Sequence, residues 1–257
     1  MKNPTLGIPV ASTIFLEGTK ILLIDLETLP ALGWFWDRPW ETRIIEVEKE
    51  WQILSFSAKW LGEDKQCTFI NHRTDKILVE KIWKLLDEAD VVIAHNGDRF
   101  DIRKINARIL YWGLGSPSPY KTIDTKKVAS RKFGMLSNKQ DDIGEFLGTG
   151  RKLKTDKDLW FDCMRGDKEA LQKMKDYNAQ DVILLERNYL KLRPWISNHF
   201  PVITDKLGCP RCGSVNLQKR GLQRNATTAY HRIFCNDCRG WSRTVYNLKL
   251  EKPLTAI

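Results

Sequence analysis

Two short apolar runs and one helical segment each deliver carboxylates in a fixed order, and this placement constrains the fold of the 257-residue chain most tightly. The run at residues 21–24 leads into Asp25 and Glu27, which a period of two puts on one face at the strand's exposed end. The run Val91–Ala94 leads into His95-Asn96-Gly97, a turn-like break, before Asp101 opens a helical pattern through Ile105 and Ile109. Tyr177 and Asp181 stand four apart in a segment without Gly or Pro, so phenol and carboxylate share one helix face. Such acids converge when a helix packs against the sheet that carries the others.

The remaining segments supply that sheet. Residues 20–25 read as the first strand, and residues 43–47, 52–60 and 66–71 as strands that extend it in antiparallel fashion. A helix is expected from about residue 75 to 86, then the strand Val91–Ala94, a helix to about residue 112 and a strand near residues 120–123. The chain to Leu192 is then mostly helical, which gives an α/β fold, a mixed sheet flanked by helices. Residues 1–18 read as a tail or an extra strand. Pro194 and Pro201 bracket a linker, so domains are expected at 1–195 and 201–257.

The motifs Asp25-Leu26-Glu27, Asn96-Gly97-Asp98-Arg99-Phe100-Asp101 and Tyr177-Asn178-Ala179-Gln180-Asp181 resemble those of the DEDD superfamily of 3′-to-5′ exonucleases. In that superfamily they read D-x-E, N-x-x-x-(F/Y)-D and Y-x-x-x-D. Tyr177 in place of a His is similar to the tyrosine subgroup, which includes the proofreading domains of many DNA polymerases and free-standing nucleases. The resemblance spans roughly residues 20–192, with the stretch Ile123-Asp124-Thr125 and residues 142–148 inside it. It implies an RNase H-like fold, two Mg²⁺ or Mn²⁺ ions held by Asp25, Glu27, Asp101 and Asp181, and a Tyr177 hydroxyl that orients the attacking water.

The chemistry agrees with the residue types. Hydrolysis of a phosphodiester needs an activated water and positive charge around the phosphate, and hard divalent ions with oxygen ligands provide both. Acids so close together repel, so the metal-free site should be partly protonated or splayed. Asp98, Asp124, Asp141 and Asp142 read as helix caps or surface acids. Asn96 is a candidate for contact with a phosphate or sugar, and Phe100 is expected in the core. The cluster at residues 32–40, with Trp34, Phe35, Trp36 and Trp40, reads either as a local core or as a surface that stacks on terminal bases.

Cys209-Pro210-Arg211-Cys212 and Cys235-Asn236-Asp237-Cys238 are two C-x-x-C knuckles separated by 22 residues. Their spacing fits a closed Cys₄ site for one structural Zn²⁺, in a small C-terminal β zinc ribbon too short to build an adequate core without a staple. His231 is read as a surface or nucleic-acid-contacting residue, and Cys67 and Cys163 as buried or free. The net charge of +10 is lopsided: residues 201–257 carry ten Lys or Arg against three acids. Arg220, Arg224, Arg232, Arg239 and Arg243, interleaved with Tyr230, Phe234, Trp241 and Tyr246, read as a nucleic-acid-binding patch.

No apolar run reaches membrane-spanning length, and the start MKNPTLGIPV lacks a signal-peptide core, so a soluble, intracellular protein is expected, cytoplasmic or nucleoid-associated. The activity expected is metal-dependent 3′-to-5′ hydrolysis of single-stranded or fraying DNA, with replication or repair proteins as candidate partners. An exoribonuclease, a structure-selective endonuclease and an inactive nucleic-acid-binding factor stay open on the same residues.

Overall fold

The computed structural model describes residues 18–38, 43–197, 199, 202, 207–225 and 228–246. Two compact units divide the chain, Lys20–Tyr189 and one that takes in Leu190 onward. In chain order the first contains β1 (Ile21–Leu29), β2 (Leu32–Trp34), β3 (Glu46–Lys49), β4 (Gln52–Trp60) and β5 (Gln66–Ile70). Then come α1 (Lys76–Glu88), β6 (Val91–Ala94), α2 (Asp101–Tyr111), β7 (Lys121–Asp124), α3 (Thr125–Lys132), α4 (Gln140–Leu147), α5 (Asp158–Arg165) and the start of α6 (Lys168–Leu192).

Five strands form a mixed sheet in the order β5-β4-β1-β6-β7. β4 runs antiparallel to β1 and β5, whereas β6 is parallel to β1 and β7. This is the mixed α/β architecture expected from the sequence. β1 lies in the middle with both faces covered, which is why residues 21–24 are apolar without alternation. Leu22, Ile24 and Leu26 pack with Phe56 of β4, Val79 and Ile82 of α1 and Ile105 of α2. Leu29, on the other face, packs with Leu159 and Cys163 of α5 and Met174 and Tyr177 of α6. Asp25 and Glu27 belong to this second face.

Two expectations about strands need correction. The first strand does not stop at Asp25 but continues to Leu29, so the two acids sit within it rather than at its exposed end. A register shift follows Glu27, where Leu54 is the extra residue opposite β1, and such a bulge re-aims side chains next to it. Residues 43–47 do not extend the main sheet. Instead β3 begins at Glu46 and pairs antiparallel with β2 as a separate two-stranded ribbon. Glu46, Glu48 and Lys49 make three of its four residues charged, all four are exposed, and pairing with nearby β2 closes only a short loop.

Asp75 precedes α1 without capping it. Its carboxylate accepts instead from Arg108 Nε (2.5 Å) and Nη2 (2.7 Å), from Trp112 Nε1 (2.8 Å) and from the Ile53 amide (3.0 Å). That buried ion pair ties α1, α2 and β4 together. Of the acids read as caps or surface groups, Asp124 caps α3, accepting from the amides of Lys126 and Lys127. Asp141 is a surface acid paired with Arg151, and Asp98 is paired with Lys127.

The second unit carries a three-stranded antiparallel sheet in the order β10-β9-β8, from β8 (Leu217–Arg224), β9 (Ala229–Cys235) and β10 (Trp241–Arg243). The readings placed on residues 1–17, Trp40 and Pro201 lie outside the described residues. Among those described, no helix is long and apolar enough to cross a membrane.

Candidate active site

β1 and α6 bring three of the expected acids together. Carboxylate oxygens of Asp25, Glu27 and Asp181 all lie within 4.8 Å of one another. The strand period supplies the first two, and the helix supplies Asp181 from the same face as Tyr177. Asp101, at the first position of α2, stands outside this cluster: its Oδ1 accepts from the Leu26 amide at 3.2 Å. It is near enough for its charge to bear on Asp25.

Crowding shows in the proton affinities. Burial raises the Asp25 carboxyl well above the ordinary carboxylate range, and repulsion from Asp181, Asp101 and Glu27 adds to it. Burial lifts Glu27 to about 7, against the attraction of Lys152 and a hydrogen bond from Trp160. Asp101 is also pushed up to about 7, chiefly by burial. The site without metal therefore holds protons near neutral pH, the partly protonated state that close acids impose.

Two side chains absent from the sequence-based assignment complete the arrangement. Lys152, in the loop after α4, places Nζ 2.7 Å from Asp181 Oδ2 and 5.2 Å from the centre of the Tyr177 ring. That contact is a buried ion pair, the Asp181 side chain being wholly shielded from solvent. Burial acts to lower the Lys152 pKa, but Asp181 and Asp25 outweigh it and hold the ammonium charged. The backbone of Lys152 is itself fixed, its amide donating to Asp141 Oδ1 at 2.7 Å. Asn178, fully buried, donates through Nδ2 to Asp25 Oδ2 at 2.7 Å and accepts from Ser55 Oγ at 3.1 Å. Its place inside the third motif was the available signal; Lys152, distant in sequence from any motif, gave none.

Tyr177 is buried against Trp160, ring centroids 6.0 Å apart and nearly perpendicular. Burial and the neighbouring Asp181 push its hydroxyl up to about 12, so it remains a hydrogen-bond donor at neutral pH. Asn96 takes the left-handed conformation (φ 63°), and its amide donates to Asp124 Oδ1 at 2.9 Å. Phe100 is not in the core as expected. It is 37% exposed, beside Lys104, because it occupies the N-cap position of α2 rather than a helix face. The local-core reading also fails for Trp34 and Trp36, which are 61% and 85% exposed on and beyond β2.

Elsewhere, the sulfurs of Cys209, Cys212, Cys235 and Cys238 converge within 4.8 Å, all buried. Sγ atoms are 3.6 Å apart for Cys209 and Cys238, and 3.7 Å for Cys212 and Cys235. A disulfide requires about 2.05 Å. Tetrahedral Zn²⁺ with Zn–S bonds of about 2.3 Å sets edges of about 3.8 Å, so the spacing matches a metal site. Contacts among the sulfurs hold Cys209 far below the usual thiol range and push Cys238 up to about 12. Four crowded sulfurs cannot all ionise without a cation. Cys67 is partly buried and Cys163 buried, both as free thiols.

Residues 44–193 match the model of the RNase H superfamily, a span that holds Asp101, Tyr177 and Asp181 but begins after Asp25 and Glu27. No curated protein matches the chain. Among solved structures, it is similar to a family B DNA polymerase from the hyperthermophilic archaeon Pyrobaculum calidifontis, with a TM-score of 0.53 and 15% identity. That likeness covers 69% of this chain but 25% of the polymerase, and at such identity it speaks for the fold.

Proposed function

This chain belongs to the RNase H superfamily, and from that premise we propose that it is a metal-dependent nuclease that removes nucleotides from the 3′ end of single-stranded or fraying DNA. The observation that carries the proposal is the convergence of Asp25, Glu27 and Asp181 within 4.8 Å, over a Tyr177 on the same helix face as Asp181. The ordered motifs and the resemblance to the tyrosine subgroup of DEDD exonucleases support the direction of attack.

The donor set fits hard divalent ions. It is all oxygen, three carboxylates gathered within 4.8 Å, and the cluster already draws one cation, the Lys152 ammonium 2.7 Å from Asp181 Oδ2. Asp25, Glu27 and Asp181, with Asp101 beside them, would hold two Mg²⁺ or Mn²⁺ ions. Once bound, these supply positive charge against the phosphate and lower the pKa of water. The chain's own groups do the rest. Asn178 fixes the orientation of Asp25, and Tyr177 donates its hydroxyl hydrogen to position the attacking water. Lys152, whose side chain is partly exposed, balances the negative charge of Asp181 and offers a further contact for a phosphate. Exposed Trp34 and Trp36, on and just beyond the ribbon that follows β1, give unpaired terminal bases an apolar face. In the second unit, the four cysteines would hold one structural Zn²⁺. A replication or repair setting, with proteins of those pathways as partners, suits an enzyme that trims ends.

The test uses 5′-labelled single-stranded DNA and RNA with Mg²⁺, Mn²⁺ or no divalent ion. A ladder shortening from the 3′ end of the DNA, seen with added metal alone, is the expected result. Cleavage of a circular single strand would overturn the exonuclease reading, preference for RNA would overturn the substrate, and metal-independent cleavage would overturn the mechanism.

A further inference from the structure

We propose that one face of the three-stranded sheet in the second unit is a binding platform for single-stranded nucleic acid, built from Arg220, Arg232 and Arg243 alternating with Tyr230, Phe234 and Trp241. Residues two apart on a strand share a face, so Tyr230, Arg232 and Phe234 of β9 stand side by side about 7 Å apart. Cross-strand register extends the face to β10, since Trp241 lies opposite Phe234 and Arg243 opposite Arg232. On β8, the bulge between Lys219 and Leu222 brings Arg220 onto the same face.

Each arginine rests on a ring. The guanidinium carbons lie 4.4 Å from the Phe234 centroid for Arg220, 5.8 Å from Trp241 for Arg232 and 3.9 Å from Tyr230 for Arg243. Phe234 and Trp241 are themselves 5.1 Å apart. Gly221, with φ of 69°, makes room for this packing: a Cβ there would meet Arg232 Nη2 at 3.3 Å. Buried Arg211 donates to the carbonyls of Ile196 and Trp241, holding the β10 edge in place. A groove of about 720 Å³ opens along this edge, lined in part by Arg211, Gln223, Arg232, Trp241 and Arg243.

The chemistry selects the occupant. None of the residues named on this face is acidic, so phosphates meet no repulsion there, and Asp237 is engaged by Ser214 and Asn216. Rings interleaved with guanidiniums suit unpaired bases, which stack while the arginines neutralise phosphates. A carboxylate-rich peptide would use the charges and leave the rings idle. The register also sorts the five arginines of the basic patch. Arg224 pairs opposite Ala229, on the other face from Tyr230, and Arg239 sits in the second knuckle with φ of 61°.

The proposal rests on the nuclease reading only in taking nucleic acid as the partner. Its test measures binding of the full chain to fluorescein-labelled oligo(dT) across a salt series, with no divalent ion added and no chelator. Replacing Arg220, Arg232 and Arg243 together by Ala should flatten the slope of log affinity against log salt by about 2. Trp241→Ala should weaken binding about 10-fold at an unchanged slope, with Trp241→Phe recovering most of it. Arg224→Ala with Arg239→Ala should leave the slope unaltered. One zinc per chain in every variant shows that the ribbon remains folded. An unchanged slope and affinity in the triple variant overturns the platform. So does competition by poly-glutamate as strong as that by oligo(dT), combined with indifference to Trp241→Ala, which would mark a surface for an acidic protein. Short oligonucleotides digested at saturating concentration report separately on the nuclease: binding of the stated pattern without cleavage sinks that reading and leaves the platform standing.

Discussion

Asp181 and Tyr177 are one helical turn apart, yet they should fail differently when changed. Asp181→Ala removes a charge that no neighbour replaces, so turnover should fall at least about 10³-fold, and Mn²⁺ titration should show weakened metal binding. Tyr177→Phe removes one hydroxyl and should cost about 10²-fold in single-turnover rate with metal affinity unchanged. Equal losses in both variants would contradict the division of roles. Proton linkage gives a second expectation. Glu27 and Asp101 titrate near 7 when folded, above the ordinary carboxylate range. Between about pH 4 and 7 the folded state therefore holds protons that the unfolded chain has released, and metal-free stability should decline as pH rises through that window. Lys152→Ala should deepen the decline by removing the charge that offsets Asp181, and added Mg²⁺ should reverse it. Thermal melts at pH 5 and pH 8 check this, and a metal-free protein more stable at pH 8 would contradict it.

At the scale of elements, the β2–β3 ribbon is the feature whose exposure most needs a reason. Ile44, Ile45 and Val47 are exposed along with Trp34, Phe35 and Trp36, an apolar surface of a kind that commonly marks a binding site. It is joined to β1 through Pro30 and Ala31, a few residues beyond Glu27. Trp36→Ala should change stability by no more than about 0.5 kcal/mol, because so exposed a ring has little packing to lose. The same change should raise KM on duplexes with frayed ends, with kcat largely retained. If melts show a large loss of stability instead, the ring packs against something and the stacking role fails.

At the scale of the molecule, two cores of different kinds imply two stabilities. The Lys20–Tyr189 unit buries apolar side chains on both faces of its sheet. The cysteine cluster of the second unit gathers four sulfurs, with Leu217 as the packed apolar neighbour. Zinc binding there should be a large share of folding free energy. The protein is expected to contain one zinc per chain. Cys209→Ser should abolish it and lose the low-temperature transition in calorimetry, while the transition of the larger unit persists. A single transition that shifts as a whole would show instead that the units unfold together.

The ordered acids, the spacing of the cysteines and the strand and helix periods were local patterns, and they were enough to indicate the mixed α/β fold and the members of both clusters. Period-two alternation put Asp25 and Glu27 on one face, and an interval of four put Tyr177 with Asp181. Local pattern could not say how far β1 continues, because Thr28 and Leu29 are kept in the strand by pairing with β4. Nor could it place residues 43–47, whose partner was decided by exposure and the nearness of β2. Lys152 reaches Asp181 only through the path of the chain after α4, and Asp75 finds Arg108 only when α1 and α2 pack. What the sequence determined by itself was which groups gather in the two clusters, since identity and period are written in neighbouring residues. What the tertiary structure alone decided was which charges oppose them, because charges distant in the chain meet only once the chain has folded.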